Sequence, residues 1–228
     1  RPPSPPVQPS AKKRSSAITP PPPKAKGSSK TPPPPARKKA VPPRSARKVP
    51  TLSPLERVLK TYETDDPFTA GTRAQKKNDH ASASAAFSAV PPDHPSRGRA
   101  RLFLAESLQK TGKHVQAREV LESIDSRDSF YFLLQGMVHN SLGERSRAVD
   151  FFQQALMHPS AVRDNTGVRR EAVYHTARTY QVLYAKESSD QNRQFALQAW
   201  QAVVRAYGEG SDHARVKEAK RLFRELNK

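Results

Sequence analysis

The spacing of hydrophobic residues changes near residue 51, where a polar, proline-rich segment gives way to a helical pattern. Ser53-Pro54-Leu55-Glu56 combines an N-cap serine, a proline in the first turn and an acid three residues after the cap, which is the signature of a capping box. The sequence therefore predicts a helix that begins here. The apolar residues on one side of that helix are Leu55, Val58, Leu59 and Tyr62. Asp66-Pro67 restarts the pattern, and the rest of the chain is typical of paired helices.

Three segments repeat one pattern of small residues, turns and large apolar residues. In each segment a small residue on a first helix precedes a turn, and an alanine and a large apolar residue follow on a second helix. The first-helix residues are Gly71, Ala105 and Gly136, the turns lie at Asn78-Asp79, Gly112-Lys113 and Gly143-Glu144, and the second-helix pairs are Ala83 and Phe87, Ala117 and Leu121, and Ala148 and Phe152. Small residues let two antiparallel helices approach closely, and a Gly or Asn between them ends the first helix. Because the equivalent alanines lie 34 and 31 residues apart, we predict a repeated helix-turn-helix unit.

A fourth, degenerate unit follows the three clear ones. Its characteristic residues are Ala177 and Tyr180 on the first helix and Ala196, Trp200 and Val203 on the second. Its alanine lies 48 residues after Ala148, which predicts an insertion around residues 182–192 and extended helices. A last helix is predicted from about Ser211 to Leu226. It has an apolar stripe of Val216, Ala219, Leu222, Phe223 and Leu226 and an outer side with Lys217, Lys220 and Arg224.

This pattern resembles the tetratricopeptide repeat family over most of residues 66–207. The resemblance implies an all-α fold, in which about 3–4 helix-turn-helix units form a right-handed superhelical solenoid with a C-terminal capping helix. On this interpretation residues 51–228 form one helical domain. The alternative is an irregular helical bundle in which the spacing is coincidental.

Residues 1–50 have a different composition from the rest of the chain. They hold 16 of the 22 prolines and 13 of the 40 Lys and Arg residues, and they contain no acid and no aromatic residue. With so little apolar surface to bury, such a segment cannot offset the entropy cost of ordering, so we predict a disordered basic linker. The linker carries +13 of the formal +19 charge. The strongly basic pI near 10.5 is therefore mostly a property of the linker and not of the helical domain.

The sequence offers no recognisable catalytic or cofactor chemistry. It has no cysteine, which excludes disulfides, thiolate metal sites and cysteine nucleophiles. It also lacks a Gly-rich phosphate loop, a zinc-binding His pair and a serine nucleophile elbow. We therefore expect a protein that is not an enzyme and that binds no metal and no small-molecule cofactor.

In the family that the chain resembles, partners bind in a groove lined by the first helix of each unit. By this resemblance, the groove residues are expected to be Glu106, Gln109, Lys110, Met137, Asn140, His175, Arg178 and Gln181. Some members clamp the free carboxylate of a chaperone tail with basic residues and asparagines. The matching positions here are Leu102, Glu106, Leu134, Glu171 and His175, so that clamp is absent and a different kind of protein or peptide partner is expected.

Two functions of different classes follow from these features. The first is a protein-interaction adaptor or scaffold, tethered by the basic linker to an upstream domain or membrane anchor, on the cytoplasmic or periplasmic side in a bacterium. The second is a nucleic-acid-associated protein, in which the linker neutralises phosphates. The second is disfavoured because the linker has no aromatic residue to stack on bases and the helices show no continuous basic stripe. On either interpretation the linker binds anionic polymers or surfaces weakly and without specificity.

Overall fold

The computed structural model describes residues 52–125 and 127–228, so the predicted basic linker of residues 1–50 lies outside the described residues. Within them the chain forms α-helices and no β-strand, which confirms the all-α class there. The helices are α1 (Pro54–Thr61), α2 (Pro67–Lys76), α3 (His80–Ser88), α4 (Arg97–Lys110), α5 (His114–Glu122), α6 (Ser129–Ser141), α7 (Arg145–Met157), α8 (Asn165–Lys186), α9 (Asp190–Tyr207) and α10 (Ala214–Leu226).

The first helix begins at the predicted capping box. The Ser53 side chain accepts a hydrogen bond from the backbone N–H of Glu56 at 3.2 Å, and the Glu56 carboxylate accepts one from the Ser53 N–H at 2.6 Å. Val58 and Tyr62 are buried, and the Tyr62 hydroxyl donates to Asp79 at 3.0 Å. α1 is thereby fixed to the cap of α3, the second helix of the first pair.

The helices pack in series, as expected of a helical repeat. Each helix from α2 to α9 contacts its successor, which pairs α2 with α3, α4 with α5, α6 with α7 and α8 with α9. The first helices also meet across units, since α6 contacts both α4 and α8. The turns inside the first three pairs share a left-handed residue, with φ of 60° at Asn78, 78° at Gly112 and 84° at Gly143. The handedness of a superhelix stays a prediction.

Within each pair a small residue on the first helix faces a large one on the second. A Cβ on Gly71 would lie 2.6 Å from the Phe87 ring, and a Cβ on Gly136 would lie 2.4 Å from the Phe152 ring. The matching positions in α4 and α5 hold Ala105 and Leu121, both fully buried. A slightly larger residue on the first helix thus accompanies a slightly smaller one on the second, and the total volume is roughly conserved.

The fourth unit is longer than the first three, as predicted. The additional residues of the fourth unit lengthen α8 to 22 residues and α9 to 18. α10 packs on α9, and its Val216, Ala219, Leu222 and Leu226 are buried, whereas Phe223 is only partly buried. It begins three residues later than predicted, because the His213 ring nitrogen accepts the cap hydrogen bond from the Arg215 N–H at 3.2 Å.

Candidate functional site

A cavity of about 390 Å³, which we call the central pocket, lies beside the first helices in the middle of the array. α4 contributes Glu106 and Lys110, and α6 contributes Met137, so three of the predicted groove residues line one pocket. The other lining residues are Phe130, Leu133, Leu134, Arg163, Asp164, Gly167, Val168, Glu171 and Arg215. They come from α6, the α7–α8 loop, α8 and α10. A surface that draws on four helices and one loop is set by the packing of several units.

The floor of the central pocket is apolar. Phe130, Leu133 and Leu134 are buried on α6, and Val168 is buried on α8. Met137 is partly exposed beside them. Because methionine has a flexible, polarisable side chain, it adapts to apolar groups of different shapes. The pocket therefore offers a contact surface for an apolar side chain from a partner.

One rim of the pocket is organised around Glu106. Its carboxylate accepts a hydrogen bond from the Gln75 amide at 2.7 Å and pairs with the Arg163 guanidinium at 2.5 Å. The Arg163 guanidinium also lies over two aromatic rings, 5.3 Å from the centroid of Phe103 and 5.0 Å from that of Phe130. Ring contacts of this kind hold a guanidinium by cation–π attraction. Glu106 is consequently already engaged by two residues, one from α2 and one from the α7–α8 loop.

The opposite rim is a carboxylate clamped by an arginine from α10. The Glu171 carboxylate meets Arg215 through two hydrogen bonds of 2.5 and 2.9 Å, the bidentate geometry that arginine favours. The Arg215 guanidinium lies 4.2 Å from the centroid of the Tyr174 ring. Although burial opposes its charge, the hydrogen bonds to Glu171 and to the Tyr207 hydroxyl raise the pKa of Arg215. Arg215 thereby fixes the start of α10 against α8.

His175 lies one turn after Glu171 and is held in its neutral form. Burial lowers its pKa to about 4, and although Glu171 opposes this shift, the charges of Arg215 and Lys110 reinforce it. The imidazole is parallel to the Phe152 ring, with the ring centroids 5.6 Å apart. His175 is therefore uncharged near neutral pH, and it is not among the residues that line the central pocket.

The remaining predicted groove residues do not line the central pocket. Arg178 pairs with Glu218 of α10 at 2.7 Å, and Gln181 accepts a hydrogen bond from the Trp200 indole N–H at 3.1 Å, towards α9. The Gln109 side-chain oxygen is buried without a hydrogen-bond partner among the described residues. Asn140 is partly buried on α6.

Lys110 is the one of the three cations at the pocket that has no carboxylate partner among the described residues. It is exposed in the last turn of α4 and forms no ion pair with any described residue. The two arginines at the pocket are ion-paired, Arg163 with Glu106 and Arg215 with Glu171. The third carboxylate, Asp164, keeps its negative charge and accepts a hydrogen bond from the Gly167 N–H at 2.6 Å as the cap of α8. The ammonium of Lys110 is thus the group most available to a negatively charged ligand.

Sequence reasoning missed the two arginines that form the rims. Arg163 lies in a loop and Arg215 in the first turn of α10, so no periodic signal points to the pocket from either position. The aromatic contribution of Phe130 was also missed, although it immediately follows the helix-capping Asp128-Ser129.

No group of three or more potential metal ligands occurs in the described part of the chain. Among the same residues, no helix is both long and apolar enough to cross a membrane. No protein-family model matches the chain, and no curated protein matches it either.

Proposed function

We propose that this protein is a non-enzymatic interaction adaptor, in which tetratricopeptide-like helical pairs hold a segment of a partner protein in the central pocket. The observation that carries the proposal is the combination of an apolar floor with a rim whose two arginines are ion-paired and whose Lys110 is not. An apolar floor with a few placed polar groups is the usual composition of a binding site.

The same arrangement sets the chemistry of the partner segment. An apolar side chain of the partner packs on Leu133 and Met137, and a nearby carboxylate meets Lys110. Residues 1–50 then act as the tether that connects this interaction to an upstream domain or anchor. The proposal assigns no reaction and no cofactor to the chain.

The two methionines of the chain provide a matched test. Met137 lines the central pocket, whereas Met157 is 79% exposed at the end of α7 and is not among the residues that line it. A photo-crosslinking amino acid is placed at either position of the full-length chain in the native cells, and mass spectrometry identifies the adducts. We expect a defined protein adduct from position 137 that is absent from position 157.

Substitutions then test whether that adduct depends on the pocket. Lys110→Gln and Lys113→Gln each remove one exposed lysine, but only the first lies at the pocket. We expect Lys110→Gln to weaken binding of the identified partner about tenfold and Lys113→Gln to change it less than twofold. Equal crosslinking from positions 137 and 157, or equal effects of the two lysine substitutions, would contradict the proposal.

A further inference from the structure

The outer side of α10 carries a row of basic residues, three of which the sequence pattern predicts there. Its members are all exposed and recur at helical spacing: Lys217, Lys220, Arg221 and Arg224. Lys217 lies 3.3 Å from Asp212 and Arg221 lies 2.7 Å from Glu225, so two of the four are paired locally. Lys220 and Arg224 form no ion pair with a described residue.

Beside this row a cavity of about 310 Å³, which we call the α9–α10 slot, opens between the two helices. Its apolar walls are Trp200 and Val204 of α9 and Phe223 of α10. Trp200 is fully buried, whereas Val204 and Phe223 remain partly exposed. The slot shares no lining residue with the central pocket.

The charged groups that line the slot are unbalanced. Three are cationic, Arg205, Lys220 and Arg224, and the one acid is Glu209. The neighbours of these cations do not cancel them: Arg205 donates to the neutral Gln201 amide at 3.3 Å, and Lys220 donates to the Glu209 backbone carbonyl at 2.7 Å. A ligand that fits here must bring negative charge as well as an apolar group.

We propose that the α9–α10 slot binds an acidic amphipathic helix of a partner protein, at a surface separate from the central pocket. An apolar side chain of that helix enters between Val204 and Phe223, and its Glu or Asp residues pair with Lys220 and Arg224. This is the helix-in-groove mode of recognition, in which apolar anchors one turn apart face a hydrophobic groove. The charged rim adds specificity and speeds association.

The shape of the slot favours a protein helix over the other anionic partners. A lipid surface is entered by apolar side chains that protrude, but Trp200 and Phe223 are recessed between two helices. A phosphate backbone needs cations alone and gains nothing from an apolar wall. A protruding leucine beside a carboxylate uses both features of the slot.

The test uses the full-length chain and three fluorescent helical peptides of about 18 residues. The first has a leucine face flanked by Glu, the second replaces every Glu with Lys, and the third keeps Glu but replaces leucine with serine. Fluorescence anisotropy at about 150 mM salt gives each affinity. Every protein variant retains residues 1–50, so their attraction for acidic peptides is common to all measurements.

We expect the Glu-leucine peptide to bind best, and we expect Arg205→Glu and Arg224→Glu each to weaken it at least threefold. Phe223→Ser should weaken it about tenfold. Lys113→Glu makes the same charge change on an exposed residue outside the slot and should alter the affinity less than twofold, as should Met137→Glu in the central pocket. Circular dichroism checks the fold of each variant. The two arginine variants change exposed side chains, so they remain informative if Phe223→Ser unfolds.

Three results would overturn the assignment. One is an unchanged affinity for the Glu-leucine peptide in both Arg205→Glu and Arg224→Glu. Another is equal binding of the lysine or serine peptide. The third is a loss of double-stranded DNA or phosphatidylserine-vesicle binding in these variants while peptide binding persists. Met137→Glu changes the central pocket and leaves the slot unchanged. Weaker peptide binding in Arg205→Glu and Arg224→Glu alone therefore assigns the peptide to the slot, whereas weaker binding in Met137→Glu alone assigns it to the central pocket.

Discussion

Exchange of the small and large residues between units is the most direct test of the repeat. Gly136 and Phe152 form one version of the contact, and Ala105 and Leu121 occupy the same places in the preceding unit. If the units are equivalent, Gly136→Ala alone should be destabilising, and the double variant Gly136→Ala/Phe152→Leu should recover part of the loss.

The magnitude follows from the geometry of the contact. A Cβ on Gly136 would lie 2.4 Å from two atoms of the Phe152 ring, so the ring would have to move by about 1 Å to regain ordinary contact. Phe152 has no exposed surface, and its neighbours must move with it. Overpacking of this kind costs about 1–3 kcal/mol, against a gain of about 1 kcal/mol in helix propensity when alanine replaces glycine. We expect a net loss of up to about 2 kcal/mol.

The single variant Phe152→Leu should lose about 1–2 kcal/mol through the apolar atoms it removes. The double variant should be more stable than the sum of the two single losses predicts, by at least about 1 kcal/mol, because the leucine makes room for the new methyl group. The assay is urea denaturation followed by circular dichroism, with the slope compared across variants.

Gly98→Ala is the matched control, since Gly98 is exposed on α4 and a Cβ there meets no described atom within 4 Å. It should be neutral or stabilising by up to about 1 kcal/mol. Strict additivity in the Gly136/Phe152 cycle, or an equal loss in Gly98→Ala, would refute the steric explanation.

Further predictions concern the pH response, the rim of the central pocket, the repeat spacing and the first cap. Because the folded pKa of His175 is near 4, below its ordinary value of 6.5, the unfolded chain binds the proton more tightly. The free energy of unfolding should therefore fall by about 2 kcal/mol as the pH is lowered from about 7 to 5. His175→Phe should remove that part of the pH dependence in thermal melts. Arg215→Met should cost about 1 kcal/mol in urea denaturation, since it leaves the half-exposed Glu171 without its partner, and Arg215→Lys should lose less. Ala148→Leu should cost about 1–3 kcal/mol by the same assay, because Ala148 has no exposed surface. Ser53→Ala should cost about 1 kcal/mol through loss of the capping box, with fraying of α1 visible by hydrogen exchange.

The local features of the fold were predictable because each depends on residues close together in the sequence. Ser53 and Glu56 cap a helix by chemistry contained in four residues. Gly112 and Gly143 occupy left-handed turns that the spacing of helical segments requires. The start of α10 was misplaced for the same reason: Ser211 is the stronger cap by residue type, but the chain uses the His213 ring instead.

The composition of the central pocket was only partly predictable, because it depends on contacts between distant units. Glu106 and Met137 lie in regular repeats, and both residues expected there from the register of the unit line the pocket. Gln181 lies far along the lengthened α8, where the register of a regular unit no longer applies. There the buried indole N–H of Trp200 needs an acceptor, and Gln181 supplies it at 3.1 Å.

α10 links the two proposed binding surfaces through opposite sides of one helix. Arg215 reaches back to Glu171 at the rim of the central pocket, while Arg224, more than two turns further on, borders the α9–α10 slot. An ion pair at the central pocket therefore holds α10 against α8, and a ligand in the α9–α10 slot contacts the other side of the same helix. A ligand in the slot that shifts α10 must strain the Arg215–Glu171 contact, and a contact that both sites bias is the physical requirement for coupling between them. Arg215→Met relieves that constraint, so any coupling between the two surfaces should weaken in this variant.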